Sequence, residues 1–230
     1  MNIYLLNKST VLKDDEVNAW VPAFNKYLGY VRYWWPRRAN IIWSPVDREP
    51  KEAWKIIIAD SSDQAGALGY HDFTPNGRPI SYVFAADDLK YGYSPTVTTT
   101  HEIAEMIADP WISDVIQVSD QYFYAKEICD PVEADDLAFE ITIEGYDPVL
   151  CSDFVLPNWF IPGSVGMFDH MKHVTKPLEI LPKGYMSVFV SGQGWKQINQ
   201  KNAEHTDPKD SPYSRLDRYS RPRPDVELEV

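Results

Sequence analysis

Short runs of apolar residues, many of them β-branched, dominate the first part of the chain. Residues 2–6, 41–43 and 56–58 form such runs, which predict strands buried in a sheet. From residue 14 to 28 the apolar positions recur at helical spacing instead, so a helix that packs one face inward is predicted there. Ser9 or Thr10 is its expected N-cap.

A tight turn is predicted before the middle of the chain. The dipeptide Asn76-Gly77 favours the left-handed backbone that a two-residue hairpin turn requires. The flanking segments, residues 66–70 and 80–85, therefore predict a β-hairpin.

The second half of the chain contains short segments with the spacing of strands. Residues 139–143 and 148–150 predict another hairpin, and residues 186–190 and 195–198 alternate apolar and polar side chains. The predicted fold class is therefore α+β. A mixed β-sheet and a helix come first, and a loop- and hairpin-rich half follows.

The composition changes near residue 200. Residues 200–230 are rich in proline and charge and carry few apolar side chains, which is typical of an extended arm. Residues 1–199 are expected to form one domain. Because such an arm buries little surface by itself, we expect it to contact a second copy of the chain or a neighbouring subunit of a larger assembly.

Charge and apolar content disfavour two classes of partner. A net charge of −12 argues against nucleic-acid binding, which needs a basic surface. No apolar run approaches the roughly 20 residues of a membrane span, and residues 1–8 lack the features of a signal peptide. A cytoplasmic location and no membrane partner are predicted. Cys129 and Cys151 are expected to be reduced.

The candidate chemistry lies on a predicted helix in the middle of the chain. Residues 98–100 are threonines that are expected to cap its start, and Pro110 is expected to end it. His101 and Glu105 are four residues apart, so their side chains share one face. With Glu102 directly after His101, the pattern is H-E-x-x-E.

This pattern is related to H-E-x-x-H, in which two histidines hold zinc and the glutamate is the general base. A carboxylate binds zinc at a distance similar to that of imidazole, so Glu105 is a candidate ligand beside His101. Glu127 lies 22 residues past Glu105 and is a candidate third ligand. Asp130 would accept the other ring N–H of His101 and fix its tautomer. The neighbouring Cys129 is an alternative thiolate ligand.

The segment after Asp130 is acidic. Glu133, Asp135 and Asp136 predict a turn that is solvated and plays no part in the site.

The motif pair resembles a group of known proteins. H-E-I-A-E-M-I-A-D-P at 101–110 and E-I-C-D at 127–130 are similar to the motifs of zincin-like H-E-x-x-E proteins from bacterial and phage genomes. A similar pair occurs in the exordium-like proteins of plants. Residues 65–71, 151–160 and 181–185 also look like the phage and bacterial group, and the resemblance covers residues 1–198. It implies a zincin-like fold and metallopeptidase-type chemistry.

The resemblance also implies roles for individual residues. One zinc ion per chain would be held by His101, Glu105 and Glu127, while Asp130 would orient His101. Glu102 would be the general base that takes a proton from the attacking water, and the substrate would be a peptide or protein.

The same resemblance implies where the substrate lies. Residues 81–85 would form the edge of the sheet beside it. Tyr70, His71 and Asp109 are further candidates for the cleft.

Two other interpretations remain open. In the first, the chain is a structural or accessory protein of a phage virion, with a structural metal or none and with residues 200–230 as a docking arm. In the second, it is an inactive zincin-like binding module, because Glu105 replaces the commoner histidine. The identity of the metal also remains open, since one imidazole and two carboxylates suit several divalent ions.

Overall fold

The first half of the chain builds a five-stranded, mostly parallel sheet. We describe its architecture from a computed structural model that covers residues 1–62 and 67–200. The order across the sheet is β2-β1-β3-β5-β4, and only β4, next to β5, runs antiparallel to its neighbour. The strands are β1 (Asn2–Asn7), β2 (Asn40–Trp43), β3 (Trp54–Ala59), β4 (Gly69–Phe73) and β5 (Pro79–Phe84).

Two long helices cover one face of this sheet. They are α1 (Asp14–Trp34) and α3 (Pro95–Ala108), and the short α2 (Ala85–Tyr91) precedes α3. Because side chains alternate along a strand, Ile56 and Ile58 pack against the helices while Ile57 faces the other side. The large core therefore lies between the sheet and the helices. A small apolar cluster covers the opposite face.

The second half is built from short antiparallel strands and turns. A four-stranded sheet has the order β11-β10-β7-β6, and β8 and β9 form a separate hairpin. Three short 3₁₀ turns, at Asp130–Val132, Asp135–Leu137 and Pro157–Phe160, lie between them. The strands are β6 (Val115–Gln117), β7 (Tyr122–Ala125), β8 (Phe139–Ile141), β9 (Val149–Cys151), β10 (Tyr185–Val190) and β11 (Gly194–Asn199).

The α+β class is confirmed, with several sheets and few helices. The predicted hairpins correspond to β4–β5 and β8–β9, although β4 begins three residues later than predicted. The segments predicted to have strand spacing at 186–190 and 195–198 form β10 and β11, which pair as a further hairpin. The turn of the first has Gly77 at φ 71°, the left-handed conformation that Asn-Gly favours. Within residues 1–62 and 67–200, no helix combines the length and apolar character of a membrane span. Residues 201–230, the predicted arm, lie outside the described residues.

Both predicted helix starts were wrong. Lys13, not Ser9 or Thr10, precedes α1, because both hydroxyls instead donate hydrogen bonds to Asp60. The threonines at 98–100 lie inside α3, which begins at Pro95 after Ser94. Proline is favoured in the first turn of a helix because it lacks an N–H that would have no partner there.

The expected substrate-side edge was also wrong. β5 lies between β3 and β4, so residues 81–83 are paired on both sides, and residue 85 begins α2. Among the described strands, β4 is the one at this edge. In the β4–β5 hairpin the earlier strand, β4, therefore lies at the edge of the sheet.

Gly184 allows close packing between the start of β10 and the turn that carries Asp130. A Cβ atom at Gly184 would lie 2.5 Å from the carbonyl oxygen of Pro131 and 2.8 Å from that of Asp130. We expect Gly184→Ala to lower the free energy of unfolding by about 1–3 kcal/mol, because backbone must move to admit the methyl group. Urea denaturation measures this change.

Gly29→Ala is the matched control for that substitution. Gly29 lies inside α1, and apart from its chain neighbours and the nearby backbone of the helix itself, no atom of the described residues lies within 4 Å of its hypothetical Cβ. Alanine is the better helix former, so this variant should be more stable by about 0.5–1 kcal/mol. A Gly184→Ala protein as stable as the parent would contradict the close packing.

Candidate metal centre

Helix α3 presents two of the predicted site residues on one face. His101 Nε2 lies 3.4 Å from Glu105 Oε1, one helical turn further on. Glu105 is 3% exposed, so its charge is held inside the protein. Asp109 has a different role, because its two carboxylate oxygens accept hydrogen bonds from the backbone N–H groups of Ser113 and Asp114. Asp109 therefore shapes the loop after α3.

The β4–β5 hairpin brings His71 to the same place. His71 is fully buried, and its Nδ1 lies 3.5 Å from Glu105 Oε2 and 3.6 Å from Glu102 Oε2. Gly69, two residues earlier on the same face of β4, permits this approach. A Cβ there would lie 2.9 Å from Glu102 Oε1 and 2.8 Å from Thr98 Cγ2.

Tyr70 faces the other side of the sheet. Its ring packs on Tyr82 and Phe84, with centroids 5.2 and 5.9 Å away. Successive side chains of a strand point to opposite faces, so Tyr70 cannot share the position of His71.

The third contribution comes from the segment after β7. Glu127 and Asp130 are buried, and Asp130 Oδ1 lies 3.3 Å from His101 Nε2. The Cys129 backbone N–H donates to Glu105 Oε1 at 3.2 Å, which fixes this segment against α3. Glu127 lies in the loop that follows β7.

These side chains form two groups of candidate ligands. His71, Glu105 and Glu127 each offer an atom within 4.8 Å of the others, and so do His101, Asp130 and Glu133. The members of the first group are all buried, while His101 and Glu133 in the second are partly exposed.

Opposite charges stabilise the ionised forms of two residues at the centre. Burial opposes protonation of His101, but the charge of Glu105 and a hydrogen bond with Asp130 outweigh it and raise the pKa of His101 well above its usual value. Burial also favours the neutral acid at Glu105. The charge of His101 and hydrogen bonds with both histidines outweigh it and lower the pKa of Glu105.

The pKa values of the surrounding acids are raised, in contrast to that of Glu105. Burial, reinforced by the charges of Glu105 and Glu127, raises the pKa of Asp130 well above its usual value. Burial and the charge of Glu105 raise the pKa of Glu133 to about 7, although His101 opposes this. Burial and the nearby acids also raise the pKa of Tyr185. The site therefore has a negative potential that favours bound cations or protons.

Two carboxylate oxygens in the cluster have no hydrogen-bond partner within the described chain. They are Glu102 Oε2 and Asp130 Oδ2, and both are buried. A buried acceptor without a partner costs free energy, and most such atoms in proteins are satisfied. A cation is a natural partner for them.

The donor set fits a divalent metal. Imidazole nitrogen and carboxylate oxygen together suit zinc, iron and manganese. Cys129, the alternative thiolate ligand, belongs to neither group of candidate ligands. Both cysteines are free, as the sequence predicted, and both are buried.

Sequence reasoning found part of this arrangement. The contacts of His101 with Glu105 and Asp130 join residues that the motif pair singled out. His71 was named only for the cleft, and Glu133, expected in a solvated turn, lies among the candidate ligands. The signal for His71 was its position in the predicted hairpin that precedes the H-E-x-x-E helix, because α3 packs against this hairpin.

A separate group lies in the 152–174 segment, where Asp153 and Asp169 are buried and contact His173. Asp153 accepts hydrogen bonds from the backbone N–H groups of Phe154 and Met171. Asp169 accepts them from those of His173 and Val174. These hydrogen bonds explain why two acids are buried here, because both carboxylates support the backbone of an irregular loop.

Comparisons with family profiles, with curated proteins and with solved structures gave no match for this chain. Any functional proposal therefore depends on the site and on the resemblance of its motifs.

The pair Asp153–Asp169 predicts a pH-dependent stability. Burial, a hydrogen bond with Asp169 and the charge of Asp169 raise the pKa of Asp153 well above its usual value. The folded protein therefore holds a proton that the unfolded chain releases near pH 4. Stability should fall as pH rises from about 4 into the alkaline range, by at most about 1.4 kcal/mol per pH unit from this group.

Asp153→Asn, a neutral replacement, should remove this contribution. Urea denaturation of the parent and the variant at pH 5, 7 and 9 measures it, with the exposed Asp147→Asn as the control. Parallel pH profiles for the parent and Asp153→Asn would contradict the assignment.

Proposed function

We propose that this protein is a metal-dependent hydrolase of the metallopeptidase type with a zincin-like site. The observation that carries the proposal is the convergence of His71, His101, Glu105 and Glu127 beside Glu102, the carboxylate that directly follows His101 in the chain. A hydrolytic metal site needs this combination, a set of ligands together with a nearby group that can carry a proton.

The residues that would hold the metal are Glu105, Glu127 and His71, whose ligand atoms lie within 4.8 Å of one another. His71 thus takes the position that the motifs implied for His101, which lies on the other side of Glu105 and groups with Asp130 and Glu133. When bound, a divalent ion such as zinc lowers the pKa of water and polarises a scissile carbonyl group.

Glu102 is the group that would move the proton. Its Oε2 is buried, has no hydrogen-bond partner in the described chain and lies 3.6 Å from His71 Nδ1. From this position Glu102 takes a proton from the attacking water and passes it to the leaving amine. Gly69 preserves the space in which this carboxylate lies.

Solvent reaches the cluster at His101 and Glu133, its partly exposed members. A substrate would enter on this side. The resemblance to zincin-like proteins supports a peptide or protein substrate, and the strand β4, at the edge of the described sheet, carries His71.

The alternative role, a phage virion component on a zincin-like scaffold, depends on residues 200–230 as a docking arm. Residues 201–230 lie outside the described residues, so this role stays a prediction. A cytoplasmic or virion location stays a prediction as well.

Substitution of Glu102 tests the proposed chemistry. Glu102→Gln keeps the shape of the side chain but cannot accept a proton, so peptide hydrolysis by the metal-loaded protein should fall by about 10²–10⁴-fold. The metal content should not change, because Glu102 is not among the proposed ligands. Mass spectrometry of a mixture of unstructured peptides measures cleavage, and elemental analysis measures the metal.

Glu140→Gln is the matched control, since Glu140 is exposed on β8. It should cleave as the parent does. Hydrolysis that persists in Glu102→Gln would contradict the role of this residue. A metal-loaded parent that cleaves no peptide would contradict the proposed reaction.

A further inference from the structure

We propose that the site holds two divalent cations and that Glu105 bridges them. This inference rests on the proposed function, in that the cluster binds metal, but it specifies a different stoichiometry from the single ion that the motif pair implies.

The two oxygens of Glu105 face different histidines. Oε1 lies 3.4 Å from His101 Nε2, and Oε2 lies 3.5 Å from His71 Nδ1. A carboxylate oriented in this way can give one oxygen to each of two cations. The Cys129 N–H also donates to Oε1, which fixes the orientation without using both lone pairs of that oxygen.

The ligand atoms around each position have the spacing of a metal coordination sphere. With metal–ligand distances of about 2.1 Å, two ligands of a tetrahedral ion are about 3.4 Å apart. The 3.4 Å between His101 Nε2 and Glu105 Oε1 and the 3.3 Å between His101 Nε2 and Asp130 Oδ1 match this value. The 3.5 Å between His71 Nδ1 and Glu105 Oε2 matches it on the other side.

The remaining ligands divide between the two positions without overlap. Glu127 joins His71 and Glu105, whereas Asp130 and Glu133 join His101. Asp130 contacts the same ring nitrogen of His101 that faces Glu105, as a ligand of a common ion would. An acid that only orients the ring would contact the other nitrogen.

The charge of the cluster favours two cations over one. It contains five carboxyl groups, those of Glu102, Glu105, Glu127, Asp130 and Glu133, around two histidines. With neutral histidines and ionised acids, one divalent ion leaves a charge of −3 (−5 + 2), and two leave −1 (−5 + 4). Asp130 Oδ2, buried and without a hydrogen-bond partner in the described chain, offers a further ligand atom on the His101 side.

Manganese provides a test with readouts independent of catalysis. The full chain, freed of metal and dialysed against Mn²⁺, should bind about two ions per chain by elemental analysis. Its electron paramagnetic resonance spectrum should show two spin-coupled ions, because metals that share a carboxylate lie about 3.5–4 Å apart. The parent protein gives this readout, so the test does not depend on how well any variant folds.

Variants with a ligand removed on one side of Glu105 test the two cation positions separately. Glu133→Gln and His71→Ala should each retain about one ion and lose the spin coupling, while Glu140→Gln, on the surface, should keep both ions and the coupling. Circular dichroism confirms that each variant is folded.

The outcomes distinguish this inference from the proposed function. One ion per parent chain, or two without spin coupling, would overturn the bridged pair and leave a metal hydrolase standing. A parent that binds no metal would overturn both. Two ions retained in folded Glu133→Gln and His71→Ala would overturn the assignment of ligands to the two positions.

Discussion

The concentration of acidic side chains against the middle of α3 is the constraint on which this structure depends. Glu102, Glu105, Glu127 and Asp130 are at most 4% exposed, and the ion pairs that Glu102, Glu105 and Asp130 form are with histidines. Buried carboxylates are costly unless positive charge or protons neutralise them. Without a cation the cluster must retain protons, which is the direction of the pKa shifts of Asp130 and Glu133. Divalent ions would replace those protons.

Three separate segments are held together to form this cluster. Helix α3 supplies Glu102 and Glu105, the β4–β5 hairpin supplies His71, and the loop after β7 supplies Glu127 and Asp130. Backbone contacts position each of them: Gly69 lets the hairpin approach α3, and Cys129 donates its N–H to Glu105. The core residues Ile103, Ala104 and Ile128 lie directly beside these acids in the chain, and their apolar packing opposes the mutual repulsion of the carboxylates.

Local patterns predicted the elements and long-range pairing decided their arrangement. Asn76-Gly77 placed the hairpin because this dipeptide fixes the local backbone. No local signal indicated that β5 would pair with a strand on each side, because strand order depends on contacts between distant segments. The contact between His101 and Glu105 could be predicted from their spacing on one helix. Glu133 was expected to be solvated because acidic residues usually are, and only the fold brings it to His101.

Anomalous X-ray diffraction from metal-loaded crystals tests most directly whether this acidic cluster is a metal centre. Data collected at the absorption edge of the metal locate the ions without reference to activity. We expect two peaks, one on each side of the Glu105 carboxylate and each within about 2.3 Å of a histidine nitrogen. Crystals with no peak near Glu105, and with carboxyl groups paired to one another or to the histidines, would contradict it.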